Sequence, residues 1–194
     1  MKSWKADELL EQLQEDVRSL IVQGKRLMHH EPAHLLQQPA PGGWSVAQVL
    51  THLNAYSRYY HREMEKSLQK NKPARVTFKP GWLGNYFTNM MLPGAGGEVR
   101  NKMKAPKGYR PDPLPDAKEV VQEFLQHQQH LLQLLEKARG KNIGALRIPV
   151  SIAPLIRLKL GDTFRFLIAH EQRHFIQVHR ILKQLGAGKQ PAAA

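Results

Sequence analysis

The residues whose types and spacing invite chemistry lie near the end of the chain, in LIAHEQRHFIQVHRIL, where His170 and His174 are four positions apart. At about 100° per residue, Phe164, Leu167, Ile168, Phe175, Val178, Ile181, Leu182 and Leu185 share one apolar arc. His174 falls inside that arc and His170 at its edge. Residues i and i+4 on a helix are about 5–6 Å apart, close enough for two neutral imidazoles to bind one ion at about 2.0–2.1 Å. HEQRH also matches the HExxH pattern of zinc proteases, which needs a third ligand downstream. The stretch after His174 holds no Asp or Glu, and His179 is turned about 180° from His170. The protease reading therefore lacks its third ligand. Glu171 projects into the middle of the apolar arc, where an ionised carboxylate needs a partner. It is the candidate catalytic residue, as a general base, with a hydrogen-bond acceptor or the partner of a buried Arg as the plainer alternatives.

The elements that must position these side chains are helical. Leu9, Leu10, Leu13, Val17, Leu20, Ile21 and Leu27 recur at spacings of three and four and define a first helix. Ser45 and Gln48 form a capping-box pattern opening a second, which runs to about Lys70 through Val49, Leu53, Tyr56, Tyr60 and Met64. A third begins at Asp116, with Glu119 as its capping partner, and stops near Gly140; a fourth spans roughly 162–185, with Gly186 as its stop. The long connection 71–115 is rich in Pro, Gly and Lys and carries a short helix around Trp82–Met91, while Ile148, Val150 and Ile152 suggest a brief strand. The fold class expected is all-α, a four-helix bundle with a long crossover between helices two and three, and bundles of this kind hold metal ligands on facing helices.

A third ligand must then come from upstream. His52, flanking the apolar arc of the second helix, fits best, ahead of His127 and His130 on the third. His29, His30, His34 and His61 read as solvated or packing residues, Arg173 as solvated or supporting, and Tyr56 and Tyr59 as packing aromatics. With zero cysteines the chain excludes disulfides, thiolate metal sites and a thiol nucleophile of its own. A length of 194 residues with 41% apolar content suits one domain, expected over residues 1–186 and followed by a disordered tail, 187–194. Without a membrane-length apolar run or a signal-peptide core, the expected location is the cytoplasm.

Two stretches together resemble a known family. GGWSVAQVLTHL is similar to the W-[ST]-x-x-[EQ]-[IV]-x-x-H-[LI] opening of the second helix in the DinB-like (also called YfiT-like) metal-binding four-helix bundles, and LGDTFRFLIAHEQRHFIQVHRIL to their closing H-x-x-x-H helix. In the latter an Arg precedes the second His and a Gln follows three residues later. The resemblance implies a three-His site for nickel or zinc at His52, His170 and His174, a homodimer, and activity as a metal-dependent hydrolase or thiol transferase. Transfer of a low-molecular-weight thiol to an electrophile is the leading expectation, with hydrolysis at the same site as the alternative. Three protein ligands leave a coordination position open, as catalytic zinc sites do.

The charge supports a rival. Twenty-nine Lys and Arg against sixteen Asp and Glu give +13, and much of the excess lies in residues 66–110. There Phe78, Trp82, Tyr86, Phe87 and Tyr109 are interleaved with Lys and Arg and could stack bases. A basic nucleic-acid-binding module with a structural metal is the second hypothesis. Recognition of an anionic small substrate and a plain solvated surface are the others.

Overall fold

The computed structural model describes residues 3–94, 99 and 103–187. The elements run β1 Trp4–Lys5, α1 Ala6–Leu27, α2 Pro32–Leu36, α3 Val46–Leu68, β2 Thr77–Phe78, α4 Trp82–Met91, a 3₁₀ turn Lys107–Tyr109, α5 Ala117–Lys137, β3 Arg147–Val150, β4 Ala153–Lys159 and α6 Leu160–Ala187. The four long helices close a ring in which α1 packs on α5, α5 on α3, α3 on α6 and α6 on α1. Helices α1 and α3 are thus diagonal, as are α5 and α6. This order makes α3 and α6, far apart in sequence, direct neighbours. Leu20, Val49, Leu53, Phe124, Leu134 and Phe164, all fully buried, fill the core between them.

Local chemistry sets the helix starts as expected. Ser45 Oγ accepts from the N–H of Gln48 (3.2 Å), and Gln48 Oε1 accepts from the N–H of Ser45 (3.0 Å). Asp116 caps α5 by accepting from the N–H groups of Lys118 and Glu119, so Glu119 contributes its backbone to the cap. The short helix Trp82–Met91 is present at the residues its pattern indicated. Three details differ. α6 begins at Leu160 and continues through Gly186. The apolar stretch before it forms a hairpin, β3 against β4, with Ile152 in the turn and not on a strand. Two-residue β1 and β2, too short for any period to show, pair Trp4 with Phe78. The expected disordered tail falls, after Ala187, outside the described residues.

The 71–115 connection is docked rather than loose where it meets α6. Phe78 is fully buried against Gly161, where an added Cβ would sit 2.7 Å from its ring. Gly81 N–H donates to Asp162 Oδ2 at 2.8 Å, and a Cβ on Gly84 would approach the Asp162 side chain to 2.4 Å. These close approaches lay α4 across α6 and roof the space between α6 and α3.

Candidate metal centre

His52 lies two turns into α3, and His170 and His174 one turn apart on α6. Because α3 and α6 are adjacent, the three rings meet. Nε2 of His170 is 3.3 Å from Nε2 of His52 and 3.1 Å from Nε2 of His174, and one nitrogen from each ring lies within 4.8 Å of the others. Among the described residues this is the one His/Asp/Glu triad so closely gathered. The far nitrogens explain the orientation. His52 Nδ1 is 2.6 Å from the carbonyl oxygen of Tyr109, and His174 Nδ1 is 2.9 Å from Oε1 of Gln177. Each of those acceptors fixes the proton on Nδ1 and leaves the Nε2 lone pair aimed at the shared point. His170 Nδ1 is buried without a partner.

The Nε2 atoms of His52 and His174 both face that of His170, at 3.3 and 3.1 Å. A single proton on His170 Nε2 can serve one of these two lone pairs but not both well, whereas a cation can serve all three rings. Burial, with the other imidazoles adding to it, holds His170 well below its ordinary value, and burial takes His174 down to about 3. Protons are thereby disfavoured, and a divalent cation accepting all three lone pairs fits the donor set. His52 is likewise lowered by burial, opposed by its bond to Tyr109. The periodicity placed His174 deeper than His170; the structure reverses this, with His170 buried and His174 half-buried at the edge of a cavity.

That cavity measures about 820 Å³. Trp44, Tyr56, Phe87, Met90 and Phe166 form walls around the three histidines, with Val150, Ser151 and Ile152 of the hairpin. Lys104, Arg110, Arg173 and Arg180 supply four cations to the lining. No Asp or Glu lies among its described lining residues. Tyr56 packs against His52 and His170 at ring separations of 5.0 and 4.7 Å, and burial pushes its phenol above the ordinary value, so the hydroxyl keeps its proton.

Several expectations need correction or placement. Glu171 is next to His170 in sequence but about 100° away around α6, and it is absent from the cavity lining. Its Oε1 accepts from Gln128 Nε2 (3.0 Å) and Ser57 Oγ (3.4 Å) in the core between α3, α5 and α6. Arg173 is buried rather than solvated and donates to the carbonyl of Met90. His61, expected on a polar face or helix end, is only 2% exposed. His127 and His130 stand beside it, against α3 but away from the triad. His179 is exposed, on the side of α6 opposite the cavity. Of the aromatics that could stack bases, Phe78 is fully buried and Phe87 walls the cavity, while Trp82 and Tyr86 are exposed. Lys104 and Arg110 face the cavity; Arg100 and Lys102 lie outside the described residues.

Sequence reasoning missed Tyr109 as a contributor, because it acts through a backbone carbonyl on a loop, for which no residue pattern exists. Gln177 was legible, standing one turn beyond His174.

Residues 7–178 match the sequence model of the DinB superfamily. The fold is similar to that of YfiT from Bacillus subtilis, described as a probable metal-dependent hydrolase with an unusual four-helix bundle topology. The TM-score is 0.56 at 14% identity, over 93% of this chain and 87% of that one. No curated protein sequence matches. Among the described residues no helix is long and apolar enough to cross a membrane.

Proposed function

Since the chain belongs to the DinB superfamily, we propose that it is a metal-dependent enzyme transferring a small-molecule thiol to an electrophile, with His52, His170 and His174 holding a zinc or nickel ion. The observation that favours transfer over hydrolysis is the cavity lining. The described lining offers no carboxylate as a general base for water, and Glu171 is engaged by Ser57 and Gln128 elsewhere. A divalent ion lowers the pKa of a bound water as well as of a thiol. Hydrolysis of an ester or amide, however, also calls for a group that passes a proton to the leaving group, a role no carboxylate of the described lining fills. A thiolate displacing a halide needs none.

The chain's own residues then bind and orient. Lys104 and Arg110 from the connection, with Arg180 of α6, present positive charge to a carboxylate-bearing thiol. Phe87, Met90 and Phe166 exclude water from the reacting atoms. The Tyr56 hydroxyl, kept protonated by burial, is a donor for charge that develops on the electrophile.

The hydrolase reading stays as the alternative because of the description attached to YfiT. Metal-loaded protein should consume free thiol when given cysteine, glutathione or a related carboxylate-bearing thiol with an activated aryl halide. Chelation should abolish turnover and added zinc or nickel restore it. Substantial ester or amide hydrolysis with no thiol consumption across the panel would overturn transfer in favour of hydrolysis.

A further inference from the structure

A second group of histidines lies on the opposite face of α3. His61 follows His52 by nine residues, a rotation of about 180° on a helix, and therefore faces α5 rather than α6. There it meets His127 and His130, edge-on at ring separations of 5.3 and 5.1 Å. The rings of the first triad are 4.6 to 5.2 Å apart, so the two contacts of His61 have nearly that spacing.

Three features separate this cluster from ordinary packing. His61 is 2% exposed, and neither of its ring nitrogens has a hydrogen-bond partner. A buried imidazole with both nitrogens unsatisfied loses its water bonds and gains nothing in return. Burial, reinforced by the neighbouring His127 and His130, lowers it to about 3, which keeps it in the neutral form that ligates metal. The two outer rings are each held by a carboxylate: His127 Nε2 is 3.2 Å from Glu123 Oε1, and His130 Nε2 is 2.9 Å from Glu65 Oε1. A histidine whose Nε2–H is held by a carboxylate has its Nδ1 lone pair free and its basicity raised, the arrangement that accompanies metal-bound imidazole. Glu123 is itself fixed by Arg58 through two bonds, at 2.6 and 2.7 Å.

We propose that His61, His127 and His130 form a second transition-metal site that ties α3 to α5, with Glu65 and Glu123 orienting the outer imidazoles. Among the described residues only the first triad has its donor atoms already gathered for an ion. Closure on an ion needs the side chains of His127 and His130 to shift towards His61, which stays fixed in the core, with the part-exposed Glu123 and Glu65 side chains following so that each Nε2–H keeps its carboxylate. Side-chain exposures of 17% and 32% leave the two histidines room to do so. An imidazole-rich donor set suits zinc, cobalt, nickel or copper over magnesium or calcium. Such an ion would serve as a clamp on the helix that carries His52, without contact with the cavity.

Metal-free protein titrated with Zn²⁺ and then with Co²⁺, followed by metal analysis after desalting and by the visible absorption of bound cobalt, tests this. Wild type should retain two equivalents, and His174→Ala, which disables the first triad alone, should retain one. In that background His130→Ala and His127→Ala, both at half-exposed positions, should release the remaining ion while circular dichroism stays unchanged. Zinc should also raise the melting temperature of His174→Ala but not of His174→Ala/His130→Ala. The proposal is overturned if His174→Ala holds no ion, or if both second-cluster variants keep theirs. One equivalent in wild type that persists in His174→Ala would uphold the second site and sink the first.

Discussion

Gln177 provides a sharp test of the first site, because its bond to His174 Nδ1 orients one ligand, and metal affinity reads that role separately from its place in the cavity lining. Its Oε1 is 2.9 Å from His174 Nδ1, and replacement by Leu removes the acceptor while keeping a similar volume. His174 then has no fixed tautomer, and its Nε2 must be freed of the proton before it can bind. Losing such a partner lowers metal affinity about 10- to 100-fold, equivalent to about 1.4–2.7 kcal/mol. The upper half of that range is expected here: of the two remaining rings only His52 is held from behind, by Tyr109, while His170 Nδ1 has no partner. At fixed excess metal the same loss appears in stability, since ligand binding adds RT ln(1 + [L]/Kd). At about 2–4 °C per kcal/mol for a chain of this size, the metal-loaded melting temperature should drop by roughly 4–11 °C, with little change in the metal-free value. Competition against a chromophoric zinc chelator gives affinity, and paired melts with and without zinc give the linkage. Gln177→Glu, which keeps an acceptor at that position, should bind at least as tightly as wild type. Affinity of Gln177→Leu within threefold of wild type, or an equal drop in both melts, would refute the idea that this bond orients a metal ligand.

His170→Ala and His174→Ala should abolish binding at the first triad, whereas His179→Ala should leave it intact; metal analysis showing the reverse pattern would mean that the triad is not the site. Arg110→Gln should raise KM for carboxylate-bearing thiols several-fold with kcat little changed, and an equal effect on an uncharged thiol would remove Arg110 from substrate recognition. Gly84→Ala should destabilise the fold by about 1–3 kcal/mol, because the new methyl group would meet the Asp162 side chain at 2.4 Å; an unchanged urea midpoint would show that α4 shifts freely. Burial raises the Asp162 carboxyl above its ordinary value, against the hydrogen bond from Gly81 and the charges of Arg165 and Lys159. The folded chain therefore keeps this proton where the unfolded chain has lost it, so the stability it contributes is full below the unfolded value and is lost as pH rises through the folded one. Asp162→Asn retains an acceptor for Gly81 and should flatten that part of the urea-midpoint profile in the acid range, and a difference profile with no slope would contradict the assignment.

Much of the frame was set by local rules that a sequence states openly. Ser45, Gln48 and Asp116 start helices because side-chain oxygens satisfy N–H groups that the first turn leaves open. The spacing of Leu9, Leu13, Val17 and Leu20 gives α1 its buried face, and His170 and His174 share a face because four residues make about one turn. His52 could be ranked as the third member from its place on the flank of α3.

Depth and company were another matter. That His170 is buried and His174 half-buried depends on where α4 and the hairpin lie across α6, which the phase of one helix does not contain. Gly161 and Gly84 dock the connection through contacts with Phe78 and Asp162, residues some eighty positions away from them. Tyr109 holds His52 through a carbonyl oxygen that every residue type possesses, so no pattern could mark it. His61 could be read from its helix only as solvated or packing, and α5 makes it the latter by covering it. The sequence by itself determined the helices and the face each side chain occupies, because those follow from interactions within about one turn. The tertiary structure decided which faces meet and which groups are desolvated, because the diagonal order of the bundle makes α3 the neighbour of both α6 and α5.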